Sequence, residues 1–121
     1  MASVLTVDDS PSIRQAIKIA LSGAGHEVVE AQDGADGVAK ANAGSFALII
    51  TDLNMPVMDG LTMIRELRAQ PAHAGVPILF LTTESDDSIK AQAKAAGATG
   101  WVTKPFQPDQ LVRIVSKVLA A

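Results

Sequence analysis

Five short apolar runs alternate with stretches of helical spacing, and this alternation restricts the fold of the chain more than anything else in it. Val4-Leu5-Thr6-Val7 stops at Asp8, and Val28-Val29 marks a second short strand. Phe46 to Thr51 stops at Asp52, Pro77 to Leu81 at Thr82, and Trp101-Val102-Thr103 at Lys104. Near-continuous apolar strands of this kind suit a parallel sheet covered on both faces. Between them, Ser10 reads as a helix cap with Pro11 at the first helical position. Ile13, Ala16, Ile17, Ala20 and Leu21 follow at helical spacing until Gly23 and Gly25. Asp33-Gly34 opens a weaker helix around Val38 and Ala41. Leu61, Ile64 and Leu67 define a third. Ser85 is the expected cap of a fourth, with Ile89, Ala93 and Ala96 on one face and Gly97 closing it. Pro108 opens the last, whose apolar positions are Leu111, Ile114, Val115 and Val118.

Strands and helices in strict alternation predict an α/β three-layer sandwich, a (βα)5 chain of the flavodoxin-like kind. The leading sheet order is 2-1-3-4-5. The five units use nearly all of the 121 residues, so one domain over 1–121 is expected, with no output domain.

Composition narrows the function. With no cysteine, disulfides, thiol nucleophiles and thiolate metal sites are excluded. His26 and His73 lie far apart in loop-like surroundings and are expected at the surface. The hydrophobic share of 48% includes 20 alanines, so the larger apolar residues are at an ordinary level. A net charge of −3 argues against nucleic-acid binding driven by bulk charge. No apolar run approaches the roughly 20 residues of a membrane span, and no signal peptide is visible, so a cytoplasmic protein is expected.

In an open α/β sheet, ligands bind outside the carboxyl ends of the strands, where the strand order reverses. Here that point lies between the first and third strands. Asp8, Asp9 and Asp52 would converge on it, with Thr82 and Lys104 alongside. Two carboxylates about 5 Å apart repel by roughly 3 kcal/mol at an effective dielectric near 20. Three together call for a cation or a raised pKa. Oxygen-only ligands select a hard cation such as Mg²⁺, which commonly adds waters and phosphate oxygens. A carboxylate can itself be a nucleophile that forms an aspartyl phosphate. The cluster reads as a Mg²⁺-assisted phosphoryl acceptor, with Asp52 the best-placed acceptor, Lys104 holding phosphoryl oxygens and Thr82 donating to them.

Val7-Asp8-Asp9-Ser10, Thr51 through Pro56 with Asp59-Gly60, Leu81 through Glu84, and Gly97 through Phe106 are together highly specific. In that order the chain resembles, over nearly its whole length, the receiver domain of two-component response regulators, and most nearly the single-domain CheY-like chemotaxis type. The resemblance implies a switch rather than an enzyme, although one that promotes its own phosphorylation and autodephosphorylation. It implies that Asp52 is phosphorylated by a histidine kinase. Asp8 and Asp9 would organise Mg²⁺ with Asp52 and the Asn54 backbone carbonyl. Lys104 would pair with the phosphoryl group, and Thr82 would shift toward it. Trp101 stands where the family usually has Tyr, Phe or His as a switching aromatic. A cis Lys104–Pro105 bond is implied too. Asn54 and Glu84 flank the acceptor as in the chemotaxis type, which implies a short-lived phosphorylated state.

The implied partners are a histidine kinase and, in chemotaxis, a flagellar motor switch protein or a phosphatase, bound by an output surface that includes Lys90, Lys94, Trp101 and Lys117. A monomer is expected. A phosphate sink or a phosphorelay intermediate fits the same residues. A flavodoxin-like cofactor module would want a hydroxyl- and glycine-rich first loop, where this chain has Asp8-Asp9-Ser10-Pro11. A dehalogenase-type phosphatase wants a second aspartate two residues after its nucleophile, where this chain has Asn54. The intact acidic cluster with Thr82 and Lys104 argues against a pseudo-receiver. Asp59 reads as a turn or cap rather than a metal ligand.

Overall fold

The computed structural model describes residues 2–82 and 87–120. Ser85, expected to cap the fourth helix, Glu84, expected to flank the acceptor, and Thr83 of the same motif lie outside the described residues. The chain order is β1 (Ser3–Val7), α1 (Pro11–Gly23), β2 (Glu27–Ala31), α2 (Gly34–Ala43), β3 (Leu48–Asp52), α3 (Gly60–Arg68), a short 3₁₀ turn at Pro71–His73, β4 (Ile78–Thr82), α4 (Asp87–Ala96), β5 (Gly100–Thr103) and α5 (Pro108–Ala120). The strands form one parallel sheet in the order β2-β1-β3-β4-β5. This is the expected flavodoxin-like architecture.

Alternation along the strands distributes side chains between two cores. Val4, Ile50, Leu79, Leu81 and Val102 pack under α1 and α5 with Ile17, Leu21, Leu111 and Val115. Leu5, Val7, Ile49 and Ile78 face the other side, against Met63, Ile64 and Leu67 of α3 and Ala41 of α2. Phe80 and Leu53 close on Ala93 of α4. Both faces of β3 and β4 are therefore buried, which explains why these strands read as unbroken apolar runs. Burying one such large side chain contributes about 1.5–3 kcal/mol.

The helix starts follow local chemistry. Ser10 accepts from the Ile13 amide, Asp33 from Asp36 and Asp59 from Thr62. Asp59 is thus a cap, as its position before glycine suggests. Gly60 is required for space, because a Cβ there would lie 2.2 Å from the Asp52 carbonyl oxygen. α3 can therefore start directly against the end of β3.

Two details differ from the sequence reading. β3 begins at Leu48, and Phe46 stands before it as a half-buried residue packed on the α2–α3 side. His73 is buried rather than at the surface. It sits in the 3₁₀ turn with Nε2 2.9 Å from Asn42 Oδ1, a polar contact that lets an imidazole sit against α2. His26 is half-buried, with an unpartnered Nδ1.

Candidate functional site

Register builds the site. Val7 lies opposite Thr51 in the β1–β3 ladder, so the residue after each strand position brings Asp8 beside Asp52. Asp52 lies opposite Leu81, and Thr82 opposite Thr103, which sets Lys104 one residue beyond. The Lys104 amide donates to the Thr82 carbonyl at 2.7 Å, fixing the turn from which the lysine reaches inward. The Lys104–Pro105 peptide that follows is cis.

The carboxylates of Asp8, Asp9 and Asp52 each place an oxygen within 4.8 Å of the others. Asp8 is fully buried, Asp52 nearly so, and Asp9 is exposed. Lys104 Nζ lies 3.3 Å from Asp52 Oδ1 and 3.6 Å from Asp8 Oδ2. Asp52 Oδ1 also accepts from the Leu53 amide at 2.9 Å, and Asp8 Oδ1 from the Ser10 amide at 2.9 Å. Among the described residues, buried Asp8 Oδ2 has no hydrogen-bond donor. Burial holds the Asp8 carboxyl above its ordinary pKa, and the Asp52 and Asp9 charges add to this. The Ser10 amide and Lys104 pull the other way without cancelling it.

A hard divalent cation fits this donor set. Among the described residues three carboxylate oxygens converge and one of them is buried without a donor, an all-oxygen set of the kind a hard cation takes. Beside them lies a cleft of about 200 Å³ lined by Asp52, Asn54, Asp59, Thr82, Ile89 and Lys104. Thr82 is buried at its wall.

The loop from β3 to α3 carries a strained residue. Val57 has a φ of 70° and is 85% exposed, in a tight turn where the Met58 amide donates to the Pro56 carbonyl. β-branched residues rarely adopt that conformation.

Trp101 is 45% exposed on β5. Its ring stands 6.1 Å from that of Phe80, and the Lys90 ammonium lies 4.4 Å from its centroid. The structure thus joins Lys90 to Trp101. Lys94 is exposed on α4. Lys117 instead borders a groove with Val76, Pro77 and Thr99, beside the starting end of β4. Sequence reasoning missed Arg14, whose guanidinium reaches the Asp8 carbonyl from α1, and Glu30, its ion-pair partner. Nothing in their spacing marks that contact.

Comparison with known proteins is consistent along the chain. Residues 4–116 match the family model described as the response regulator receiver domain. The chain is 37% identical to chemotaxis protein CheY1 of Helicobacter pylori, over 96% of this chain and 95% of that protein. The solved structure of Vibrio cholerae chemotaxis protein CheY4 superposes with a TM-score of 0.94 at 47% identity, covering 98% of each chain. The receiver domain of a Pseudomonas aeruginosa sensor histidine kinase, solved with a magnesium ion coordinated in its active site cleft, gives 0.92 at 30% identity, covering 99% of this chain and 98% of that one.

Proposed function

Since the chain belongs to the response regulator receiver domain family, we propose that it is a phosphorylation-driven signalling switch in which Asp52 takes a phosphoryl group from a histidine kinase. The observation that carries this reading is the convergence of Asp8, Asp9 and Asp52 beside Lys104, with the lysine ammonium 3.3 Å from Asp52.

An Asp52 carboxylate oxygen attacks the phosphorus of a phosphohistidine. The phosphorus–nitrogen bond breaks, and its electron pair stays with the imidazole. Asp8, Asp9, Asp52 and the Asn54 carbonyl would hold Mg²⁺, which when bound neutralises charge on the phosphoryl oxygens. Lys104 already spans Asp8 and Asp52 and needs little movement to pair with those oxygens. The Thr82 hydroxyl, on the wall of the same cleft, donates to them. The acceptor gains roughly 0.5–1 unit of negative charge over a carboxylate. Lys104 and Thr82 are tied through the Lys104 amide, so their adjustment moves the ends of β4 and β5 together.

A partner then reads the surface that includes Lys90, Lys94 and Trp101. Its preference for the phosphorylated arrangement supplies the coupling, typically about 1–3 kcal/mol. Relatives named as chemotaxis proteins favour a partner in that pathway, such as a flagellar motor switch protein.

Intact-mass measurement after incubation with acetyl phosphate tests the chemistry. One phosphoryl adduct is expected with Mg²⁺, and none with chelator or in Asp52→Asn. A wild-type protein that stays unmodified under all conditions refutes the reading.

A further inference from the structure

The carboxylates of the site depend on a peptide plane that a residue outside it holds. β1 ends at Val7, and the Asp8 amide still follows the sheet by donating to the Ala31 carbonyl at 3.1 Å. Among the described residues the Asp8 carbonyl has no such backbone partner, and its donor is Arg14, whose Nη1 lies 2.6 Å away. Arg14 is one turn into α1, where its own amide bonds to the Ser10 carbonyl. Its side chain is largely buried, 17% exposed, and its Nε donates to Glu30 Oε1 at 3.2 Å. Glu30 is held in turn by its place in β2, with Lys18 Nζ at 3.8 Å from its other oxygen.

We propose that Arg14 is a positioning residue for the cation site: braced by Glu30, it clamps the Asp8 carbonyl and so fixes the Asp8–Asp9 peptide from which the exposed Asp9 carboxylate projects. This inference rests on the Mg²⁺ reading above. Asp8 needs little help, because its amide, its Oδ1 and its burial already define its position. Asp9 is exposed, and the peptide that precedes it sets its direction. Only a forked guanidinium can serve Glu30 and the carbonyl together, because its donors are rigidly spaced. A lysine has the charge without the fork.

The two possible roles of Arg14 differ in sign. As a mere positive charge near a cation site, it repels the cation, and its removal tightens binding. As a clamp, its removal loosens the site. Groups that orient a metal ligand typically change affinity by about 10–100-fold. An effect routed through a backbone carbonyl belongs at the lower end.

The experiment is calorimetric titration of the folded protein with Mg²⁺, on wild type, Arg14→Met, Arg14→Lys and Lys18→Met. The expected result is about tenfold weaker binding for Arg14→Met and a clear weakening for Arg14→Lys. Lys18→Met, which removes a charge from the same network without touching the Asp8 carbonyl, should bind as wild type or slightly more tightly. With acetyl phosphate as donor, the Mg²⁺ concentration for half-maximal phosphorylation should rise in Arg14→Met, while the rate at saturating Mg²⁺ changes little. Unchanged or tighter binding by Arg14→Met overturns the proposal, as does equal weakening by Lys18→Met. If Arg14→Met does not fold, Arg14→Lys decides alone, and wild-type affinity in it is refuting. A wild-type protein that binds no Mg²⁺ instead refutes the function on which the inference rests.

Discussion

Asp8→Asn should make the metal-free protein more stable and the Mg²⁺ response weaker. The Lys104 ammonium at 3.6 Å attracts the Asp8 carboxylate by about 4.6 kcal/mol at an effective dielectric near 20. Asp52, within 4.8 Å, repels it by at least about 3.5 kcal/mol on the same footing. Exposed Asp9, seen through a dielectric nearer that of water, repels it by about 1 kcal/mol. These charges nearly cancel. What remains is a buried charged oxygen, Oδ2, with no hydrogen-bond donor among the described residues, a defect of about 1–3 kcal/mol. Asparagine keeps an Oδ1 for the Ser10 amide and puts a neutral amide where Oδ2 stands. A gain of about 1–2 kcal/mol should appear as a Tm about 4–8 °C higher in chelator. Wild type at 100 times its Mg²⁺ dissociation constant gains about 2.7 kcal/mol, and the variant should lose most of that gain. The pH profile carries the same sign. The folded state holds the Asp8 proton above its ordinary pKa, so metal-free stability falls as pH rises from the unfolded value through the folded one. The variant should lack that slope. Scanning calorimetry across pH, with chelator and with Mg²⁺, measures all three effects. A lower Tm for Asp8→Asn in chelator, or an undiminished Mg²⁺ response, refutes the reasoning.

Val57→Asn should relieve the positive φ at an exposed position and stabilise the protein by about 1 kcal/mol in urea unfolding; no gain would show that the turn is not strained. Arg68→Met should cost about 2–3 kcal/mol, because Arg68 donates to the Gly97 and His73 carbonyls at 3.0 and 2.8 Å, and a neutral result would mean that water replaces it freely. Lys90→Met should lower the fluorescence anisotropy of Trp101, the only tryptophan, while changing stability by under about 1 kcal/mol. Unchanged anisotropy would show that the ammonium does not restrain the ring.

The fold was legible because its inner strands β3 and β4 are buried on both faces. Runs such as Phe46–Thr51 need no long-range information to be read as inner strands, and the polar residue after each run marks the carboxyl end. Asp8, Asp52, Thr82 and Lys104 were readable for the same reason, since a parallel sheet gathers strand ends. Arg14 and Glu30 were not, because their contact depends on a side chain reaching back across a turn to a carbonyl. His73 was misread because a polar residue among Pro71, Ala72 and Ala74 looks like a surface turn, whereas its partner Asn42 is 31 residues away. The space that Gly60 leaves for the Asp52 carbonyl likewise depends on how α3 meets β3, which only packing reveals.

The central claim is that Asp52, among three clustered aspartates, is the phosphoryl acceptor. Borohydride reduction of the protein treated with acetyl phosphate and Mg²⁺, followed by peptide mass analysis, would convert an acyl phosphate to homoserine and locate it. The account predicts homoserine at position 52 in place of Asp52, with Asp8, Asp9 and Asp59 intact. Homoserine at position 8, 9 or 59, or its absence from a treated wild-type protein, would contradict it.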